Sequence, residues 1–211
     1  MNKTKKWLAH VLTLAMVICS ISVLSFGQQA KSEAASGSFQ NLNQSQFVSA
    51  MGAGWNLGNQ LEAANNGVPS ETAWGNPTIT ENLIKAVKNA GFTSIRIPVS
   101  YMGHIGSDSN YTVDAGWNRV QQVVDMCVNN GLYAIINMHG DGYTTLDGGW
   151  LFCGSSNQTA IKAKYKAVWK QIATKFKNYD QHLVFESMNE EFDGTYGTPS
   201  STAYANINAY N

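Results

Sequence analysis

Four short apolar runs, at residues 52–57, 93–99, 133–139 and 183–190, alternate with longer segments of helical period. That alternation marks βαβ units, whose strands lie parallel because each crossover returns the chain to the same end of the sheet. The first helix is expected over about 80–89, with Thr80 as its cap, Leu83, Ile84 and Val87 as its apolar stripe and Gly91 as its stop. The second is expected over 117–130, facing inward through Val120, Val123, Val124 and Cys127 and closed by Gly131. A third, over 159–176, carries Ile161, Tyr165, Val168, Trp169 and Ile172 on one face, and the stretch after residue 190 reads as a polar tail. Strand centres near 54, 96, 136 and 186 leave room for βα units with elaborated loops. The expected fold is therefore α/β, the first four units of an eight-unit barrel. An open doubly wound sheet is the competitor, but Gly58 stands in GNQLEAANNG, which matches no dinucleotide-binding fingerprint.

The N-terminus fits a different pattern. Lys3, Lys5 and Lys6 precede an apolar run over 7–26 and then GQQAKSEAAS, the three-part layout of a secretory signal, with cleavage expected near Ala34 or Ala35. Residues 1–35 are read as signal peptide and 36–211 as the working domain of a secreted, extracellular protein that leaves the membrane once cleaved. An uncleaved anchor is the alternative, since the run is about as long as the ~20 residues that span a bilayer. Without 1–35 the chain keeps ten basic and thirteen acidic residues. No basic field exists to attract phosphate backbones, so nucleic acid is not an expected partner. Six Trp and nine Tyr among many Asn, Ser, Thr and Gly suit neutral polyhydroxylated ligands, met by ring faces and hydrogen bonds. Cys127 and Cys153 have neither pairing nor metal spacing, and the histidines at 10, 104, 139 and 182 are scattered, so neither a metal nor a cofactor is expected.

Barrel active sites gather at the carboxyl ends of the strands. Here those ends offer Asn56 and Asn59, Arg96 with Ser100 and Tyr101 beyond it, Asn137 and His139, and Asn189 with Glu190 and Glu191. Side chains alternate along a strand, so Glu186, Met188 and Glu190 share one side. Glu186 lies deeper, where a carboxylate needs a partner such as Arg96, and is read as structural. Glu190, nearer solvent, is the candidate general acid, and Glu191, pointing the other way, is read as structural. Trp74 and Trp150, in glycine-rich loops, are candidates to stack on pyranose faces. Tyr101 and Tyr143 are candidates to line the cleft, while Trp117 and Trp169 belong to helices and the core.

The set GWNLGNQLEA (54–63), TAWGNP (72–77), IRIPVSY (95–101), IINMHGDGY (135–143) and LVFESMNE (183–190) resembles glycoside hydrolase family 5, the secreted endoglucanases built on a (β/α)8 TIM barrel. The resemblance runs over about 45–195. It implies that Glu190 is the acid/base, that Asn189 orients the sugar 2-hydroxyl, that His139 lines the cleavage subsite and that Arg96 supports the nucleophile. Asn56 is placed with the substrate-binding residues. The implied activity is retaining hydrolysis of cellulose or a related β-glucan, with no cofactor. Mannan and xyloglucan are handled by similar members, and a noncatalytic carbohydrate-binding protein is the reading from another class.

Two departures from the family pattern stand out. Gly140-Asp141-Gly142-Tyr143 follows His139 where many relatives carry a second His or an acid, and Glu191 replaces the usual Pro after Asn-Glu. Retention also needs a second carboxylate about 5–5.5 Å from the first. The family's nucleophile closes strand seven, preceded by a His-Tyr contribution from strand six and followed by a Trp on strand eight. Residues 1–211 are thus expected to be the front part of a longer enzyme and inactive alone, with Glu62, Asp141, Asp147 and Asp193 standing in loops at the mouth but unable to replace that nucleophile. Unpaired edges on the first and fourth strands are expected to favour self-association.

Overall fold

The computed structural model describes residues 39–191, 193 and 199–210. The export segment expected over 1–35 lies outside the described residues. Helix α1 (Gln44–Met51) starts from a capping box in which the Asn43 and Gln46 side chains each accept the other's backbone N–H, at 3.0 and 2.9 Å. It stops at Gly52, whose φ of 54° and close approach to Thr93 exclude a Cβ, which would collide with Thr93 Oγ1. Strand β1 (Gly54–Asn56) follows, and the loop after it folds into a hairpin of β2 (Ala64–Asn65) and β3 (Val68–Pro69).

The remaining elements alternate as expected: α2 (Glu81–Asn89), β4 (Ser94–Ile97), α3 (Asn118–Asn129), β5 (Tyr133–Asn137), α4 (Gln158–Lys175) and β6 (Leu183–Glu186), then α5 (Ser201–Asn208). Thr80 caps α2, its side chain accepting from Leu83 N at 3.2 Å. The parallel sheet has the order β1-β4-β5-β6. Each new strand adds beside the last, as in a barrel, whereas a doubly wound sheet would reverse its order about the first strand.

Register fixes which side chains share a face. Asn56 pairs with Arg96, Arg96 with Ile135, and, two residues further along, Asn137 with Glu186, so these residues share one side of the sheet. The opposite side carries Ile95, Ile97, Ala134 and Ile136, which join Ile84 and Val87 of α2, Val120, Val123, Val124 and Cys127 of α3, and Val168 and Ile172 of α4 in one core. Cys127 and Cys153 are free and buried, small packing groups rather than bridges. No helix of the described residues is long and apolar enough to cross a membrane.

The elements differ from expectation at their ends. β4 stops at Ile97 because Pro98 has no N–H to continue the ladder. β6 stops at Glu186, four residues early, although Asn189 N still donates to Met138 O at 2.9 Å. α1 lies outside the apolar runs, and α5 lies in the expected polar tail, where Ser200 caps it by accepting from Ala203 N at 3.2 Å.

Candidate active site

Arg96 is the hub of the polar side chains that share this side of the sheet. Its Nε and Nη2 donate to the two oxygens of Glu186 at 2.7 and 2.6 Å, a fork-to-fork pair. Nη2 also donates to Asn189 Oδ1 at 2.8 Å and Nη1 to Asn56 Oδ1 at 3.1 Å. Burial alone would raise the Glu186 carboxyl. The hydrogen bonds from Arg96 and Asn137, with the Arg96 charge, outweigh it and hold Glu186 below the usual range. Hydrogen bonding to Glu186 in turn raises Arg96 against its own burial.

Asn137, fully buried on β5, ties this hub to the next residue of the site. Its Oδ1 accepts from Val99 N at 3.1 Å, which fixes the amide, so Nδ2 faces Glu186 Oε1 and His139 Nδ1, each at 3.2 Å. Both ring nitrogens of His139 thus face amide groups, Nδ1 that of Asn137 and Nε2 that of Asn189 at 3.4 Å. Burial and the nearby Arg96 charge push His139 down to about 4, so the ring is neutral at ordinary pH. Asn137 is the strand-end residue for which sequence reasoning supplies no role. Its signal lies in the parity that aligns it with Glu186 on the neighbouring strand.

Beyond β6 the chain is fixed from two sides. Tyr165 Oη and Trp169 Nε1 of α4 both donate to Ser187 O, at 3.1 and 3.0 Å, while Asn189 N bonds back to the β5 side. This sets Asn189 over Arg96 and leaves Glu190 exposed. Asn189 Nδ2 donates to Tyr143 Oη at 2.9 Å, and Tyr143 Oη donates to Glu190 Oε2 at 3.1 Å. The Tyr143 ring meets His139 edge-on, centroids 5.9 Å apart. Arg96, Asn56, His139, Asn189, Tyr143 and Glu190 thus form one connected cluster around Glu186.

The other expected contacts fall elsewhere. Tyr101 does not line the cleft: it is fully buried, its ring 6.3 Å from that of Trp117 and its hydroxyl without a hydrogen-bond partner among the described residues. Period-two parity ends at Pro98, so position along the run no longer predicts direction. Trp150 has structural partners, donating to Asp141 Oδ1 at 2.7 Å with the Lys164 ammonium 4.4 Å from its ring centroid. A sugar would have to displace that cation from the ring face. Trp74 is exposed, its Nε1 donating to Ala64 O at 3.1 Å.

Two acids expected at the mouth are interior. Glu62 is buried and shapes its own loop by accepting from the N–H groups of Asn59 and Gln60. Asp141, also buried, accepts from Tyr101 N at 2.8 Å and from Trp150, yet burial still raises its carboxyl. Beside it Glu191 has both carboxylate oxygens buried and unpartnered among the described residues. Burial first, then the Asp141 charge, push Glu191 up to about 9. No group of three or more His, Cys, Asp or Glu among the described residues could hold a metal.

The sequence profile of cellulase, glycosyl hydrolase family 5, matches residues 58–211. The chain belongs to glycoside hydrolase family 5. Its four parallel strands and their helices are accordingly the first part of that family's (β/α)8 barrel. Endoglucanase A of Paenibacillus barcinonensis is 54% identical over 212 residues, covering 100% of this chain and 52% of the relative. Among solved structures, a family 5 xyloglucanase from Paenibacillus pabuli in complex with ligand superposes with a TM-score of 0.76 at 69% identity, covering 79% of this chain and 46% of that one. A broad-specificity endoglucanase from Ruminococcus champanellensis with bound cellotriose superposes with a TM-score of 0.75 at 37% identity, covering 83% and 52%. The chain spans about half the length of these family 5 relatives.

Proposed function

We propose that this chain supplies the acid/base half of a secreted, retaining endo-β-1,4-glucanase acting on cellulose or a related β-glucan. The observation that carries the reading is the contrast within one cluster. Arg96 is engaged by Glu186, Asn189 and Asn56, while Glu190 stands exposed at the end of the chain of hydrogen bonds, with a hydroxyl rather than a cation as its neighbour. A carboxyl so placed is open to a substrate and held in direction by one hydrogen bond.

In the first step Glu190 gives its proton to the glycosidic oxygen as the bond to the anomeric carbon breaks and a second carboxylate forms the glycosyl ester. In the second, water attacks that carbon, loses its proton to Glu190, and the ester breaks to restore the carboxylate. By family resemblance the second carboxylate is expected at the end of strand seven, in the part of the barrel that comes after these four units. Asn189, with its Oδ1 held by Arg96, would direct Nδ2 toward the sugar 2-hydroxyl. His139, neutral and oriented by Asn137 and Asn189, would line the cleavage subsite, and Trp74 would offer a ring face.

Glu190→Gln in a complete barrel carrying this sequence should lower turnover of a soluble β-1,4-glucan by roughly 10²–10⁴-fold while leaving oligosaccharide binding in place. Unchanged turnover would refute the assignment, and binding by the parent protein without hydrolysis would favour the noncatalytic reading. Xyloglucan is the second substrate reading, favoured by the 69% identity to the Paenibacillus pabuli xyloglucanase. Rates on xyloglucan and on undecorated β-glucan compared side by side separate the two.

A further inference from the structure

We infer that Tyr143 is the positioning residue of the acid/base, holding Glu190 through its hydroxyl in both protonation states that the reaction requires; this rests on the reading of Glu190 given above. Tyr143 follows Gly140-Asp141-Gly142 in the turn after His139.

The turn that presents the ring is fixed on every side. Asp141 is anchored through its carboxylate to Tyr101 N and Trp150 Nε1, and through its carbonyl to Trp150 N and Leu151 N at 2.8 and 2.9 Å. Gly140 N donates to Ser100 Oγ at 3.0 Å, and Tyr143 N closes the turn on Gly140 O at 3.1 Å. Gly142 lies so close to Glu191 that a Cβ would stand 2.5 Å from Glu191 Oε1. The missing side chain lets the segment carrying Glu190 and Glu191 lie directly against the turn. The neighbours of Tyr143 and Glu190 in the chain are therefore in contact as well, through the Glu191 carboxylate lying against Gly142.

A tyrosine hydroxyl has one proton to give and two lone pairs to accept with. Asn189 Nδ2 fills one lone pair, and Asn189 is oriented by Arg96 through its Oδ1. When Glu190 is ionised it can only accept, so the Tyr143 hydroxyl donates to Oε2, 3.1 Å away. When Glu190 is protonated, the carboxyl is the donor across the same contact, the Tyr143 oxygen accepts, and the hydroxyl proton turns away. The same oxygen thus serves the acid and the base without moving the backbone, while the ring stays edge-on to His139.

The test uses Tyr143→Phe in a complete barrel carrying this sequence, which keeps the ring, with two aryl β-cellobiosides that differ in leaving group. A poor leaving group such as 4-methylphenoxide needs the acid, whereas 2,4-dinitrophenoxide departs without one. The expected result is a loss of roughly 10-fold in kcat/KM for the first, a part of the roughly 10²–10⁴-fold that a general acid supplies, and less than about 2-fold for the second. Unchanged melting temperature shows that the fold is intact. Equal losses for both substrates would mean that Tyr143 serves sugar binding or packing, and no loss for either would mean that the hydroxyl does nothing; each overturns the inference. If Glu190→Gln shows no such dependence on leaving group, it is the assignment of Glu190 that fails, so the two failures are distinguishable.

Discussion

Glu186 and Glu191 lie five residues apart, on either side of the Asn189-Glu190 pair, and burial works to raise both carboxyls. One meets a guanidinium fork and an amide and is held low. The other meets Gly142, a second acid and no donor among the described residues, and is pushed up to about 9. The difference teaches that depth alone does not set a carboxylate's state here. The deciding factor is whether the facing element supplies a fixed donor, as β4 does for Glu186, whereas the turn facing Glu191 presents a bare glycine.

The strongest way to break the comparison is to remove the fork. Arg96→Met leaves Glu186 without its cation, and because both side chains keep a quarter to a third of their exposure the loss should be about 2–3 kcal/mol, below the range for fully buried pairs. Urea unfolding at pH 7 checks it. The sign with pH comes from a carboxyl that the fold holds low. Its stabilisation is present above the unfolded value near 4.3 and is lost as pH falls through the folded value, so wild type and variant should converge in acid.

Glu191 has the opposite sign. Its folded value lies above its unfolded one, so the stability linked to it is present below about pH 4.3 and drains as pH rises toward about 9. Glu191→Gln, of nearly the same size, should match the parent in thermal melts near pH 4 and exceed it increasingly from pH 6 to 9. A constant difference across that range would contradict the picture. The smallest effect sharpens the surroundings of the second acid. Lys164→Met removes the ammonium over Trp150 and the charge that helps Asp141, and should lower stability by about 0.5–1 kcal/mol in the same assay.

Much of this contrast was legible in the chain. Parity within the strands placed Glu186 with Arg96, because β4 and β6 keep period two and the register is parallel, whereas Glu190 lies past the end of β6, where that parity stops. The helices at α2, α3 and α4 followed from apolar stripes. Tyr101, Asp141 and Glu62 were misplaced for one shared reason: they lie in loops, where backbone hydrogen bonds such as Tyr101 N to Asp141 decide direction and no period survives. α5, in STAYANIN, has no apolar stripe to announce it. α1 did carry a signal, since Asn43 and Gln46 have the spacing of a capping box.

The carbonyl of Ser187 receives two aromatic donors from the outer helix, Tyr165 and Trp169. The helix layer is thereby tied to the segment that carries Glu190, three residues further on. Repacking the face of α4 that bears Tyr165 and Trp169 therefore amounts to shifting the Asn189-Glu190 segment from behind, at a distance from its own hydrogen bonds.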